Sequence, residues 1–199
     1  MTDQNDAIRL AAAEVFAENG WRQPAWQKVA DRAGVPLAEV FALYPDIPAL
    51  LRDWHAVADR AMLADLGPDE TEGSDHDRLF ALIMRRFDAL MPFRPALAGL
   101  TESNAGLAFL MLPLAPLMER SMLWALEAGG MTTNPIRDLY RAALLVAADA
   151  ALFRVWRQDA SEDLGSTMKE LDRQLKRMAK LPGFVRRNID LDDDRKAAA

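Results

Sequence analysis

The chain has 199 residues, 51% of them hydrophobic and 27% charged, which is typical of a globular protein that can bury a sizeable core. It contains no cysteine and two histidines, which excludes disulfides, thiolate metal sites and a cysteine nucleophile, and argues against a multi-histidine metal centre. The net charge of −6 argues against a protein that coats nucleic acid through overall positive charge.

Targeting signals are not evident in the sequence. No segment reaches the roughly 18–20 uninterrupted apolar residues that a membrane-spanning helix needs. The N-terminus is acidic and polar, whereas a signal peptide begins with basic residues followed by an apolar run. The sequence predicts a soluble cytoplasmic protein without a bound cofactor.

The hydrophobic pattern predicts an all-α fold of about nine helices. Leu, Ala, Met, Arg and Glu are frequent, and apolar residues recur at helical spacing. A turn is expected at 91–95, and Pro113 and Pro116 are expected to break or kink the helical segment 106–128. Asn134 and Ser161 are expected to cap the helical segments that begin at these two residues. The predicted helical segments are 6–19, 26–33, 37–44, 48–66, 75–90, 106–128, 134–158 and 161–181.

Two short helices near the N-terminus have the spacing of a helix-turn-helix. The segment 26–33, the linker Gly34-Val35-Pro36 and the segment 37–44 match two short helices joined by a tight turn. In such a motif the second helix enters the DNA major groove. The sequence therefore predicts a helix-turn-helix domain over residues 1–46, followed by a helical domain over 47–187, which the resemblance and the patterns below connect with ligand binding and dimerisation, and a mobile tail over 188–199.

The residues around this motif resemble the N-terminal domain of the TetR family of transcriptional regulators. The matching stretches are AAEVFAENGW at 12–21, VADRAGV at 29–35, Val40-Phe41, Tyr44-Pro45 and ALL at 49–51. The resemblance implies a regulator that binds operator DNA as a homodimer and responds to a small, often apolar, effector. The DNA-binding residues expected from it are Arg22, Gln23, Gln27, Lys28, Leu37, Glu39 and Phe41.

The sequence departs from that family where DNA contacts are expected. Family members usually carry other, mostly polar or basic, residues where this chain has Pro24, Pro36, Leu37, Glu39, Phe41 and Ile47. Residues 1–50 hold four basic and seven acidic side chains, and cations supply most nonspecific DNA affinity. The C-terminal third also resembles lipid-binding proteins of ubiquinone biosynthesis, which have the same fold. The alternative function is therefore lipid or quinone binding without DNA binding.

The middle of the chain is rich in methionine and aromatic residues. These side chains either enclose an apolar ligand pocket or simply fill the core. The candidate pocket residues are Trp54, Met62, Phe80, Met84, Phe87, Phe109, Met111, Met118, Met122 and Trp124.

The last two helices are predicted to pair with those of a second copy. The first is apolar on nearly every side, apart from Asp149, which then needs an arginine or a backbone donor. The second has a heptad-like seam, which also fits ordinary packing within one chain. The predicted interface residues are Leu144, Ala147, Ala151, Leu164, Met168, Leu171, Leu175 and Met178.

Two further patterns have weaker functional implications. Residues 169–187 hold seven basic and two acidic side chains, which either meet an anionic membrane surface or offset acidity elsewhere. His55 and Asp59 lie four apart on one helical face and are expected to hydrogen-bond, but no nucleophile, phosphate loop or metal motif accompanies them. The sequence does not predict an enzyme.

Overall fold

A computed structural model describes residues 2–21, 25–67, 72–102, 114–161 and 163–184. These residues form nine α-helices and one short 3-10 helix, Met91–Phe93, with no strand among them. The expected all-α fold is confirmed. The α-helices are α1 (Thr2–Asn19), α2 (Trp26–Ala33), α3 (Leu37–Leu43), α4 (Ile47–Leu63), α5 (Asp75–Ala89), α6 (Arg94–Glu102), α7 (Ala115–Ala128), α8 (Pro135–Trp156) and α9 (Gly165–Met178).

Helices α4, α5, α9, α8 and α7 pack in that order around a ring, which closes where α7 returns to α4. We call this bundle, together with α6, the body, and α1–α3 the head. Each helix of the ring buries an apolar stripe against its neighbours. Within the described residues, none of the helices is long and apolar enough to cross a bilayer.

A row of aromatic side chains joins the head to the body. The ring centroids of Phe16 and Trp21 are 4.4 Å apart, those of Trp21 and Trp54 5.9 Å, and those of Trp54 and Phe93 4.9 Å. The indole N–H of Trp21 also donates to the carbonyl oxygen of Ala96 in α6 at 2.7 Å. Since buried aromatic pairs contribute substantial packing energy, the head and the body share one continuous core.

Several predicted helix boundaries are confirmed by their caps. Asn134 accepts from the N–H of Arg137 at 3.0 Å and begins α8 as expected. Asp46 accepts from the N–H of Ala49 at 2.7 Å, which begins α4 at Ile47. Both side chains satisfy N–H groups that the first helical turn leaves unpaired.

Two local predictions are wrong. The expected turn at 91–95 is a 3-10 helix that leads into α6, because a proline fits the first turn of a helix and Pro95 takes that place. The last helix begins at Gly165 rather than after Ser161. Ser161 Oγ still accepts from the N–H of Gly165 at 3.0 Å, but Leu164, with a φ of 54°, holds the N-cap position.

Candidate DNA-binding surface and ligand-binding body

Helices α2 and α3 form the predicted helix-turn-helix. Val29, Ala30 and Val40 are buried between them and α1. Gly34 ends α2 at a φ of +68°, a left-handed conformation that glycine adopts without strain. The N–H of Val35 then donates to the carbonyl oxygen of Ala30 at 3.1 Å. These contacts fix the direction in which α3 leaves the turn.

The outer surface of this motif holds the predicted DNA-binding residues that the structure describes. Gln27 and Lys28 are exposed on α2, and Leu37, Glu39 and Phe41 are exposed on α3. The predicted contacts Arg22 and Gln23, and the neighbouring Pro24, lie outside the described residues. The motif thus presents both helices to solvent, as a groove-reading element must.

Most cationic side chains in the described part of the head are paired with carboxylates. Arg9 donates to Asp53 at 2.6 Å, and this hydrogen bond raises the pKa of the guanidinium. Arg32 donates to both oxygens of Glu18, at 2.9 and 2.8 Å. Lys28 instead donates to the neutral amide oxygen of Asn19. Among these cations, Lys28 is therefore the one best placed to meet a phosphate.

A buried cluster of five polar residues lies at the centre of the body, and we call it the polar hub. It consists of His55 and Asp59 on α4, Arg86 on α5, Ser121 on α7 and Asp149 on α8. Arg86 donates to Asp149 at 2.8 Å and to Asp59 at 3.3 Å, and its Nη2 lies 2.9 Å from His55 Nδ1. One expectation is confirmed here, because Asp149 finds an arginine. His55 Nε2 lies 3.4 Å from Asp59, but its hydrogen bond goes to Ser121, which links the two residues in place of the direct bond that was expected.

The hydrogen bonds of the polar hub select one tautomer of His55. Burial first, and then the charge of Arg86, lower the histidine pKa, so the ring is neutral at pH 7. Nδ1 accepts from Arg86, so Nε2 carries the proton and donates to Ser121 Oγ at 2.7 Å. Ser121 donates in turn to Asp59 at 2.7 Å. Burial raises the pKa of Asp149.

The polar hub contains a serine, a histidine and an aspartate, which are the residue types of a catalytic triad. Their hydrogen bonds run in a different order from those of a triad. In a triad the histidine accepts the serine proton, and the carboxylate holds the other ring nitrogen. Here Arg86 takes that nitrogen and Asp59 contacts the serine. Ser121 is also fully buried. The hub can hold four helices in register, and its histidine donates to the serine instead of accepting the serine proton.

The predicted pocket residues that the structure describes are spread over the core, the half-buried positions and the surface. Trp54, Met62, Phe87, Met122 and Met84 lie in the core. Met118 is half-buried, with its sulfur 3.5 Å from Arg86, and Phe80 is half-buried on α5. Trp124 is 53% exposed on α7. Phe109 and Met111 lie outside the described residues.

Two open clefts contain some of these side chains. A cleft of about 850 Å³ between α5 and α9 has an apolar floor that includes Phe80, Met84 and Met168, and carboxylates such as Asp88 at its rim. Burial raises the pKa of Asp88. A second cleft, of about 720 Å³, lies beside Trp124 where α7 meets the start of α8. Both are large enough for a small ligand.

The predicted dimer residues fall into two groups. Leu164, Leu171, Leu175 and Met178 are buried within the chain, so they pack α9 on its own body and offer little surface to a partner. Of the others, Ala147 is exposed, whereas Leu144, Ala151 and Met168 are half-buried.

An exposed stripe along α8 is one apolar surface that a partner could cover. Its residues follow steps of four and three, the spacing of one helix face. Ile136 is 83% exposed and Tyr140 41% exposed. The members of this α8 stripe are Ile136, Tyr140, Ala143, Ala147 and Ala150.

The basic segment 169–187 is partly neutralised within the chain. Lys176 donates to Asp172 at 2.8 Å, and Arg173 pairs with Glu170. Arg186 and Arg187 lie outside the described residues. Contact of this segment with a membrane stays a prediction.

Sequence reasoning missed Arg86, although a signal was present. Arg86 follows Leu79 and Ile83 at steps of four and three on the buried face of α5. Asp149 interrupts an apolar helix in the same way. Since an unpaired buried charge is very costly, opposite charges on two apolar faces indicate a buried ion pair.

Comparison with known proteins gives similarities of structure. No protein-family model and no curated protein matches the chain. A TetR transcriptional regulator from Nitrosomonas europaea ATCC 19718 is 24% identical with a TM-score of 0.72, over 89% of this chain and 98% of that one. A TetR transcriptional regulator from Rhodococcus sp. RHA1 is 19% identical with a TM-score of 0.57, over 88% and 95%. A tetR-family transcriptional regulator from Streptomyces coelicolor is 14% identical with a TM-score of 0.62, over 90% and 82%. The chain therefore has a TetR-like fold.

Proposed function

We propose that this protein is a TetR-like, non-enzymatic transcriptional regulator that binds operator DNA as a homodimer and responds to a small apolar effector. The observation that carries the proposal is the exposed α2–α3 motif, mounted on a body whose fold is similar to that of TetR regulators over most of the chain. A helix-turn-helix presented in this way has its second helix free to enter a major groove.

The polar hub supports a response to an effector. It joins α4, which begins directly after the head, to α5, α7 and α8. A ligand that moves α5 or α7 would also shift α4 through these hydrogen bonds, because packed helices rearrange between discrete states rather than deform continuously. The α5–α9 cleft gives an apolar effector access to α5, through Phe80 and Met84.

The α8 stripe supports the homodimer. It extends along the middle of the longest helix described, and a second copy related by a twofold axis would cover it with the same surface. Such a dimer holds two α3 helices at a fixed distance, which recognition of two half-sites requires.

A gel-shift titration with DNA from upstream of the protein's own gene tests the proposal. At low salt we expect a discrete complex whose affinity falls as salt rises, because phosphate contacts release counterions. Lys28→Ala should weaken binding to all sequences and reduce the salt slope by about one. Lys169→Ala, an exposed lysine on α9, is the matched control and should leave the slope unchanged. Absence of any complex would reject the regulator.

A lipid- or quinone-binding protein of the same fold is the second candidate. It is favoured by the scarcity of cations on the outer surface of α2 and α3, where Leu37, Glu39 and Phe41 are exposed. Native mass spectrometry after gentle extraction separates the two functions. A lipid or quinone that co-purifies in stoichiometric amount, together with failure to bind DNA, would favour this candidate over the regulator.

A further inference from the structure

The exposed face of α3 carries an unusual set of side chains for a recognition helix. Leu37 is 43% exposed and Phe41 66% exposed, and Ala38, Glu39 and Ala42 are exposed as well. Val40 points inward and is fully buried. None of the five exposed side chains has an N–H or O–H group. The face can therefore accept hydrogen bonds through Glu39, but its side chains cannot donate any.

The arrangement of these side chains follows from helical periodicity of about 100° per residue. Ala38 and Ala42 lie at the centre of the exposed face, opposite the buried Val40. Leu37 and Phe41 lie one turn apart on one flank, and Glu39 lies on the other flank. Two central alanines let the helix backbone approach base edges closely, while larger side chains reach out on either side.

The apolar flank continues into a shallow cleft. Leu37, Ala38 and Phe41 line it, together with Trp26, Tyr44 and Pro45, and its volume is about 370 Å³. The flank is therefore a continuous apolar surface rather than a single exposed ring.

The major groove offers few features that such a face can recognise. Guanine presents two acceptors there, thymine an acceptor and a methyl group, cytosine an amino donor, and adenine an amino donor beside an acceptor. A carboxylate has no donor for the adenine acceptor, so cytosine is the better match for a glutamate. Side chains without donors cannot bind the guanine acceptors. Apolar side chains contact the thymine methyl group, and a glutamate accepts from the cytosine amino group.

We infer, on the basis of the proposed DNA-binding function, that α3 reads thymine C5 methyl groups through Leu37, Ala38 and Phe41 and a cytosine N4 amino group through Glu39. The operator half-site is then rich in thymine with a cytosine on the Glu39 side, and guanine contacts make no contribution from this helix. Because α3 carries no cation, apolar contacts supply a larger share of the affinity of this helix than in a recognition helix rich in lysine or arginine.

Selection from random duplexes with the full-length protein at low salt is the first step of the test. We expect a thymine-rich half-site containing one invariant cytosine. The selected duplex is then synthesised with deoxyuridine, which lacks the C5 methyl group, at one thymine position at a time. Loss of each contacted methyl should weaken binding about fourfold, and substitution outside the half-sites is the control.

Two variants with exposed side chains assign the contacts without threatening the fold. Phe41→Ala should bind the thymine and deoxyuridine duplexes with equal affinity at the positions that Phe41 touches. Glu39→Gln should change the preferred base from cytosine to adenine by about tenfold, because glutamine pairs with adenine in the major groove. Glu119→Gln, on an exposed position of α7, should leave the preference unchanged.

The outcomes separate this inference from the function on which it rests. If a sequence is selected but the deoxyuridine duplexes bind equally well, or if most of its conserved pairs are G·C rather than A·T, the inference is overturned and the regulator stands. If no duplex is selected, both the inference and the proposed DNA-binding function are rejected. The exposed apolar face of α3 then favours the lipid- or quinone-binding candidate.

Discussion

Arg86 is the only cation of the polar hub, and it donates to both Asp59 and Asp149. Removal of one partner from a buried ion pair leaves the other charge without compensation, which typically costs about 3–5 kcal/mol. We expect Arg86→Met to lower the free energy of unfolding by that amount in urea titrations at one fixed protein concentration.

The double variant Arg86→Met, Asp149→Leu tests the reason for this loss. It removes both charges and keeps apolar volume, and such replacements are often close to neutral. We expect it to recover at least half of the lost stability, with Asp59 still held by Ser121. If the single variant loses less than about 1 kcal/mol, the buried charge on Asp149 is not what makes Arg86 important.

Asp159 organises the loop before α9 through four donors. The N–H and hydroxyl groups of Ser161 and Thr167 all donate to its carboxylate, at 2.5 to 3.2 Å. Burial alone would raise the pKa of Asp159, but these hydrogen bonds outweigh it and hold the pKa well below the ordinary value. Asp159→Asn replaces one acceptor by a donor and should cost about 1–3 kcal/mol at pH 7.

The pH dependence of this loss has a definite sign. A carboxylate whose folded pKa is lowered stabilises the protein above its ordinary pKa of 3.8 and loses that effect as the pH falls further. The stability difference between the unmodified protein and Asp159→Asn should therefore shrink between pH 4 and pH 2. Asp163 accepts one hydrogen bond, from the N–H of Gly165. Asp163→Asn is therefore the control and should lower the free energy of unfolding by less than Asp159→Asn does. A difference that is constant with pH would show that the asparagine acts through shape alone.

At the scale of single residues, the sequence predicted local partners better than distant ones. The four-residue spacing of His55 and Asp59 places them on one helical face wherever the helix goes. The need of Asp149 for a partner was also foreseeable, because the residues around it are apolar. The identity of that partner was not, since α5 and α8 meet only after the bundle has closed, 63 residues apart in the chain.

At the scale of elements, helix ends with a local chemical signal were predictable. Asn134 followed by a proline marks the start of α8, and Gly34 marks the end of α2. Helix α6 was missed because Pro95 also fits a turn, and only packing against α1 decides between the two. The exposed stripe of α8 could not be told apart from the buried face in the sequence, since both faces are largely apolar and contain several alanines.

Two glycines on different helices should respond oppositely to the same substitution. Gly34 has a φ of +68°, and an added Cβ would meet nothing within 4 Å, so the cost of Gly34→Ala is purely conformational, about 1 kcal/mol. Gly99 lies inside α6 with equal space around it, so Gly99→Ala should stabilise the protein by about 0.5–1 kcal/mol. Thermal or urea unfolding measures both. A loss at Gly99 would show that α6 is strained, and no loss at Gly34 would contradict the left-handed turn.

At the scale of the whole molecule, the head and the body are mechanically connected. The aromatic row from Phe16 to Phe93 crosses their boundary, and Arg9 and Tyr44 both bind Asp53 on α4. Under the proposed function, we expect a movement of α4 to reorient α2 and α3 together. The polar hub lies further along the same helix, so α4 is the expected route from the hub to the head.

The α8 stripe makes a prediction about assembly. In a homodimer built on this stripe, Ala147 lies in the interface, and Ala147→Arg would bury one charge from each protomer there. An uncompensated buried charge costs several kcal/mol, so the dimer Kd should rise by at least ~100-fold. Sedimentation velocity at micromolar concentration should show a monomer.

The matched control is Ala17→Arg, which places the same side chain on the exposed face of α1 and should leave the dimer intact. The Ala147→Arg monomer should keep its helical circular dichroism, because the substituted position is exposed on the single chain. It should also lose tight binding to a two-half-site duplex, since one α3 helix reaches one half-site. A variant that remains dimeric would place the interface elsewhere, whereas an unmodified protein that sediments as a monomer would contradict the homodimer itself.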